Sequence, residues 1–328
     1  MDKKTNIGVI GVGHLGQHHT KHYSKIDGAN LVGVFDLNQD RCRSVATKYD
    51  IKPYETLGEL LEKVEALSVV TPTKDHKKVA EECINKGKHV FIEKPITKTV
   101  AEAEGLITLA KERGTIIQVG HIERLNPALL PLEKFDINPK YIEVQRLAPY
   151  MSRGTDVPVV LDLMIHDIDL VLALVKSPTK EISANGISIM TDSVDMANAR
   201  IQFKNGAVAN ITSSRVAKDR VRKMKVFQQD LYITVDFLRS LTEVYRVMDA
   251  DKTDPSAIMS APLVSKERHR QIFYEKPTIK KQDALKMELE NFIEAAQGKV
   301  KPIVDGTAGK NALDLALQIH NKILEDIQ

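Results

Sequence analysis

Cysteine, tryptophan, a dominant charge and long apolar runs are all scarce or missing in this sequence. There are two cysteines, no tryptophan, and aromatic residues make up only 5% of the chain. Cys42 and Cys83 fall in stretches that read as helical, and neither has a CxxC partner. A disulfide framework or a cysteine metal site is therefore not expected, and both thiols are assigned to helix packing. No run approaches the roughly 18 apolar residues of a membrane span. Met1 to Asn6 is polar and leads straight into a strand, without the apolar core of an export signal, so the expected location is cytoplasmic, with no membrane partner. Charge of one sign is equally scarce: 47 Lys and Arg stand against 44 Asp and Glu, a formal +3 spread along the chain. That balance gives no case for nucleic acid, and the expected partner is a small molecule.

What is present is a soluble composition, 42% hydrophobic and 28% charged, in 328 residues. A chain of that length suits two domains better than one core. In the N-terminal half, strands and helices alternate. Ile7 to Ile10 reads as a strand, Gly11-Val12-Gly13-His14-Leu15-Gly16 as a turn, and the following residues to about Ile26 as a helix. Leu31 to Phe35 is a second strand ending on Asp36. Strands at Ala66 to Val70, His89 to Ile92 and Ile116 to Val119 are separated by helices at Lys74 to Lys86 and Val100 to Arg113. Such alternation implies a parallel sheet covered on both faces, a Rossmann domain over residues 1–121.

Glycines also serve ordinary turns, and a GxGxxG by itself says little. Here it sits between strand and helix, with an acid roughly 20 residues on, at the end of the second strand. Gly11 permits the tight turn, Gly13 lets backbone approach a pyrophosphate, and Gly16 allows close helix packing. The helix N-terminus offers N–H groups to the anion. Asp36 is placed to accept from the ribose hydroxyls and to repel a 2′-phosphate, which favours NAD over NADP. Val12, His14 and Leu15 complete the turn.

The third and fourth strands end in Thr71-Pro72-Thr73, followed by His76, and in Glu93-Lys94-Pro95. Open α/β sheets bind ligands at such strand ends. These residues, with Gly120-His121-Ile122-Glu123-Arg124-Leu125-Asn126-Pro127 and Asp162-Leu163-Met164-Ile165-His166 further on, resemble the glucose-fructose oxidoreductase and inositol dehydrogenase family along essentially the whole chain. The resemblance implies an NAD-dependent sugar oxidoreductase with Lys94 beside the nicotinamide after a cis Lys94-Pro95 bond, and with Asp162 and His166 at the substrate. It implies that His166 takes the proton of a sugar hydroxyl as hydride leaves, that Asp162 orients it or holds a neighbouring hydroxyl, and that Lys94 steadies the oxygen that becomes a carbonyl. Arg124 and Asn126 are substrate candidates on the same ground, and His76 and Glu93 join the cofactor side. The run Gly120 to Pro127 and the segment Arg153-Gly154-Thr155-Asp156 look similar to the family's UDP-N-acetylglucosamine 3-dehydrogenases, whose 3-keto product feeds a partner aminotransferase and lipid A.

Read without the family, Val159 to Val175 is an apolar helix with Asp162, His166 and Asp169 at i, i+4 and i+7, on one side of a helix of about 3.6 residues per turn. Asp169 either orients His166 or caps a neighbouring element. From residue 122 to 328 the texture is that of an α+β domain. Consecutive strands from Tyr141 to Val247, with an Asn205-Gly206 hairpin, imply a mostly antiparallel open sheet. One face is expected to bury the Asp162-His166 helix; the other, carrying Val, Ile and Phe, is expected to be covered by a second subunit of a homodimer or homotetramer. Helices at about Gln282 to Ala296 and Thr307 to Ile327 are expected near the Rossmann domain, and Thr253 to Lys266 reads as a mobile loop. The cationic residues Arg215, Lys218, Arg220, Arg222, Lys223 and Lys225 read either as a solvated turn or as a diphosphate-binding edge.

Overall fold

The computed structural model describes residues 3–151, 157–264 and 269–327. Its first half follows the alternation of the sequence: β1 (Thr5–Ile10), α1 (His14–Tyr23), β2 (Ala29–Phe35), α2 (Gln39–Tyr49), β3 (Lys52–Tyr54), α3 (Leu57–Leu61), β4 (Ala66–Val69), α4 (Thr73–Asn85), β5 (His89–Glu93), α5 (Val100–Arg113) and β6 (Ile117–Gly120). The strands form one sheet in the order β3-β2-β1-β4-β5-β6, every neighbouring pair parallel. All four residues of β4 and of β6 are buried, as expected of strands covered on both faces. The strand order reverses between β1 and β4, which places a ligand crevice at their C-terminal ends.

The second half holds β7 (Tyr141–Leu147), a π-helical turn (Val160–Met164) running into α6 (Ile165–Val175), then β8 (Thr179–Ile187), β9 (Met196–Phe203), β10 (Val208–Ser214), β11 (Val221–Gln228), β12 (Leu231–Asp236), β13 (Leu241–Asp249), β14 (Met259–Val264) and β15 (His269–Glu275). Helices α7 (Ala284–Ala296) and α8 (Gly306–Ile327) follow. The nine strands run β14-β15-β13-β12-β11-β7-β10-β9-β8, antiparallel throughout except for β7 beside β10. The expected α/β Rossmann domain and α+β domain with a mostly antiparallel open sheet are both present. Gly206, with φ +84°, closes the β9-β10 hairpin where Asn205-Gly206 predicted one.

Two compact units result: residues Met1–Leu125 with Asp283–Asp314, and residues Asn126–Gln282 with Leu315–Gln328. In the first, α7 lies on the parallel sheet, with Leu289, Phe292 and Ile293 buried in a core with Ile7, Val9 and Phe91. The Phe91 and Phe292 rings meet edge to face at 5.7 Å. Helix α8 starts in the first unit, where Gly309 faces Val119, and ends in the second, where Ile323 faces Gly186.

Two expectations change. Part of Thr253 to Lys266 is strand: β14 pairs with β15 from Met259 to Val264, and Ser265 and Lys266 lie outside the described residues. Pro262 made that stretch look like a loop, but an edge strand tolerates a residue with no N–H to give. The second sheet's outward face also differs in composition from the Val, Ile and Phe expected of it. Ile142, Val144, Met224, Val226, Ile233 and Val235 are buried, on the face that α6 packs against. Their alternates form a ladder of half-buried rings, Tyr141, Phe227, Tyr232, Tyr245 and Tyr274, with neighbouring centroids 4.5 to 5.7 Å apart. Beside it runs a polar row that includes Glu143, Lys225, Thr234 and Glu243.

Candidate cofactor and catalytic site

The glycine turn after β1 behaves as its spacing predicts. Gly11 has φ +84°, and a Cβ there would lie 2.7 Å from the Val70 carbonyl oxygen, so only glycine fits. A Cβ on Gly16 would meet the Gly11 oxygen at 1.9 Å, which keeps α1 tight against the turn. Gly13 is different: nothing lies within 4 Å of its would-be Cβ. The protein's own packing does not demand glycine there, so the open approach is left to a ligand. Gly13 is also the N-cap of α1 and supplies no side-chain cap, which leaves the helix's first N–H groups to an anion.

Across the crevice, Thr71 follows β4, and its Oγ1 is buried without a hydrogen-bond partner in the protein. A buried hydroxyl seldom goes unpartnered. The bare helix end, the open Gly13 and the orphan Thr71 hydroxyl together fit a dinucleotide's pyrophosphate. Val12 is buried, while His14 and Leu15 are exposed at the start of α1. His76 is buried, its Nδ1 2.9 Å from the Pro95 carbonyl oxygen and its Nε2 2.9 Å from that of Thr71. It braces the Thr71-Pro72-Thr73 loop against the segment after β5.

Asp36 is buried at the end of β2, where its carboxylate accepts the N–H of Val12 and of Asn38, each at 2.8 Å. The Arg41 guanidinium binds it with both arms, Nε to Oδ2 at 3.0 Å and Nη2 to Oδ1 at 2.8 Å. Burial alone raises its carboxyl pKa, but Arg41 and the two N–H groups more than offset that and hold it below the usual range. The sequence reading passed over Arg41. Its signal was there: it occupies the third position of α2, whose N-cap Asn38 accepts from the Arg41 N–H at 2.9 Å.

Lys94 follows the last residue of β5, and the Lys94-Pro95 bond is cis, as the resemblance implied. Glu93 accepts the Lys94 N–H at 3.2 Å and lies 2.9 Å from His19 Nε2. His19 Nδ1 lies 3.2 Å from Ser68 Oγ, which lies 2.8 Å from the Tyr23 hydroxyl. This chain of buried polar groups holds the strand end that carries Lys94, and none of His19, Ser68 or Tyr23 was among the expected residues. Burial raises the Glu93 pKa, but the hydrogen bond and charge of His19 and the charge of Lys94 more than offset it, so the group sits below its ordinary range. Arg124 and Asn126 are half-buried, Arg124 in a 3-10 turn over Ile122–Leu125 that closes the first stretch of the first unit, and Asn126, the first residue of the second unit, accepting the Ala128 N–H at 3.0 Å.

In the second unit, the π-helical turn at Val160–Met164 holds Asp162, and His166 opens the α-helical part. A π turn widens the helix locally, so the 3.6-residue spacing that put Asp162, His166 and Asp169 on one side does not hold across it. Asp162 and His166 are half-buried while Asp169 is fully buried. Asp167, which was not among the expected site residues, forms a buried ion pair. Arg146 of β7 reaches it with both arms, at 2.8 and 2.7 Å, and both side chains are at most 3% exposed. Asp162 instead lies 4.0 Å from Arg215, whose Nη2 donates to the Val157 carbonyl. The cationic run Arg215 to Lys225 is therefore not one patch: Arg215 turns inward, Lys223 and Lys225 pair with Asp236 and Glu143, and Lys218, Arg220 and Arg222 are exposed. Arg153 lies outside the described residues.

Residues 5–121 match the oxidoreductase family with an NAD-binding Rossmann fold, and residues 142–233 match the GFO/IDH/MocA C-terminal domain. The chain belongs to the GFO/IDH/MocA family of oxidoreductases. It is 39% identical to the UDP-N-acetylglucosamine 3-dehydrogenase of Acidithiobacillus ferrooxidans, over 95% of each chain. It is 28% identical to the myo-inositol 2-dehydrogenase of Thermotoga maritima, over 94% of this chain and 92% of that one. The solved structure of the Acidithiobacillus enzyme superposes over 100% of both chains with a TM-score of 0.89. The chain is an NAD-dependent oxidoreductase. No described helix is long and apolar enough to cross a membrane.

Proposed function

We propose that this protein oxidises the 3-hydroxyl of UDP-N-acetylglucosamine to a ketone. The observation that carries the reading is the 39% identity, along nearly the whole of both chains, to an enzyme named for that reaction. NAD, when bound, accepts the hydride. The chain's own residues do the rest. Gly11 to Gly16, Asp36, Thr71 to Thr73, His76 and Glu93 shape the cofactor side. His166 takes the hydroxyl proton, a role that suits an imidazole near neutral pH. Asp162, steadied by Arg215, orients it or holds an adjacent hydroxyl. Lys94 donates a hydrogen bond to the oxygen that becomes the carbonyl and stabilises its developing charge.

Two phosphates on the substrate call for charge-assisted donors. Arg124, Asn126, Arg153, Arg220 and Arg222 are the candidates, of which Arg220 and Arg222 are exposed. The product, a 3-ketone of a nucleotide sugar, is the electrophile an aminotransferase needs to make a 3-amino sugar of the kind used in lipid A, which fits a cytoplasmic enzyme. The ring ladder of the second sheet suits the face of a homodimer or homotetramer.

The test is NADH formation from UDP-N-acetylglucosamine against the free sugar. The nucleotide sugar is expected to turn over far faster, because remote phosphate contacts position the reacting carbon. Lys94→Ala and His166→Ala are expected to lose most turnover while NADH affinity stays within a few fold, and Arg220→Ala with Arg222→Ala to raise KM for the UDP-sugar. Equal use of the free sugar rejects the substrate. Near-native turnover in either single variant rejects the roles.

A further inference from the structure

Glu93 closes β5 immediately before Lys94, and its neighbour across the sheet is Gly120 of β6. A Cβ on Gly120 would lie 3.0 Å from Glu93 Oε2 and 3.1 Å from its Cδ, so the carboxylate occupies the space that a side chain on β6 would fill. Its two oxygens have one partner each: His19 Nε2, 2.9 Å from Oε1, and the Lys94 N–H, 3.2 Å from Oε2. An ionised carboxylate offers about four lone-pair sites, so loss of either donor leaves this one held by a single hydrogen bond. Burial works against its charge, and His19 and Lys94 more than offset that. His19 is locked in turn. Its Nδ1 lies 3.2 Å from Ser68 Oγ, which lies 2.8 Å from the Tyr23 hydroxyl, and its ring meets Phe91 edge to face at 5.2 Å. An ionised carboxylate accepts and does not donate, so Nε2 carries a proton whether the imidazole is neutral or charged. In the neutral ring Nδ1 is then the acceptor, and the Ser68 hydroxyl, backed by Tyr23, fixes that tautomer.

We propose that His19 is a positioning residue for Lys94: through Glu93 it fixes the backbone from which the Lys94 ammonium reaches the reacting oxygen, and it therefore governs turnover rather than binding. The inference rests on the role given to Lys94 above and holds whichever sugar is oxidised. His19 is 1% exposed, so it acts from inside the domain, by way of the carboxylate it holds. A shift of about 1 Å in a group at the reacting centre, caused from a distance, is enough to cost on the order of 100-fold in rate. Ser68 and Tyr23 contribute one step further back, by keeping the Nε2 proton of His19 directed at Glu93.

Two readouts test this on the native chain, His19→Leu, His19→Gln and Ser68→Ala. The first is hydrogen exchange at the Lys94 amide, followed by mass spectrometry, which needs no substrate. The second is kcat and KM for the UDP-sugar together with the Kd of NADH. In His19→Leu the Lys94 amide is expected to exchange roughly tenfold faster and kcat to fall roughly 10- to 100-fold, while KM and Kd stay within a few fold. Glutamine puts an amide N–H near the place of Nε2, so His19→Gln is expected to recover most of both losses. Ser68→Ala keeps the ring and its contact with Glu93 and is expected to move exchange and kcat the same way by a few fold; it carries the test if thermal melting shows His19→Leu to be unfolded. In a Lys94→Ala background, His19→Leu is expected to cost no further kcat, because its effect runs through that side chain. The proposal is overturned if the folded variants leave Lys94 exchange or kcat unchanged, if the loss in kcat persists in the Lys94→Ala background, or if KM and Kd rise in step with the fall in kcat, as they would were His19 only a brace for the domain. Near-native turnover of Lys94→Ala by itself is a separate result: it removes the role of Lys94, and the inference with it.

Discussion

Each unit contains a buried carboxylate gripped by a two-armed arginine, and the two pairs do different work. Asp36 with Arg41 and Asp167 with Arg146 have almost the same geometry, with contacts of 2.8 to 3.0 Å in the first and 2.7 to 2.8 Å in the second. They differ in where the arginine lives. Arg41 is 45% exposed on the first turn of a helix, five residues from its partner, whereas Arg146 is 3% exposed in the middle of a sheet, 21 residues from its own. Water can replace Asp36 at the Arg41 guanidinium; it cannot reach Arg146. The first pair is therefore within reach of water, while the buried one ties α6, with His166 in its first turn, to β7. Burial alone separates a pair at the surface from a rivet in the core.

The rivet should show the largest effect. Arg146→Ala leaves the charge of Asp167 in the core and is expected to cost about 3–5 kcal/mol of stability, read as a fall in the urea midpoint; a change below about 1 kcal/mol would make the two pairs equivalent. Replacing both partners, Arg146→Met with Asp167→Leu, should recover much of that loss, a test of whether the ion pair or merely the filled volume matters.

A carboxylate held without arginine sharpens the comparison. Asp195 is buried and accepts the N–H groups of Ile189, Met190 and Thr191 and the Thr191 hydroxyl. Burial alone would raise its pKa, but the Met190 N–H, the Thr191 hydroxyl and the other N–H groups bring it down to about 2. Because the folded value is depressed, its contribution is complete above the unfolded value of about 3.9 and is lost as pH falls toward 2. Asp195→Asn is expected to cost roughly 1–3 kcal/mol at neutral pH and to flatten the stability profile between those values. A variant with the native acid profile would assign that loss to other carboxylates. The surface pair should show the smallest effect: Arg41→Met is expected to change the melting midpoint by the equivalent of at most about 1 kcal/mol. A loss as large as that of Arg146→Ala would make Arg41 structural.

Features carried by neighbouring residues were open to inspection in the sequence. The Gly11, Gly13 and Gly16 spacing, Asp36 at the end of β2, the strand-end motifs Thr71-Pro72-Thr73 and Glu93-Lys94-Pro95, and the Asn205-Gly206 hairpin all lie where they were expected. Between Asp36 and Ala66 only the stretch around Cys42 reads as helical; β3 has no counterpart in the reading because it is three residues with a proline in the middle, too short for alternation to register. The ladder of rings went unforeseen for a different reason. Its members come one from each of five strands, and only the register of those strands lines them up.

By itself the sequence determined the main alternation of strands and helices in the first domain, the class of both domains and the residues of the dinucleotide turn, since these follow from period, turn chemistry and short spacings that no distant contact has to complete. Tertiary structure alone decided that Asp167 is buried against Arg146, that a π turn breaks the helical face there, that His19 braces Glu93, and that Arg41 closes over Asp36. In each of these cases the energy depends on how much water is excluded from a charged group, and that is set by whatever the rest of the chain packs around it.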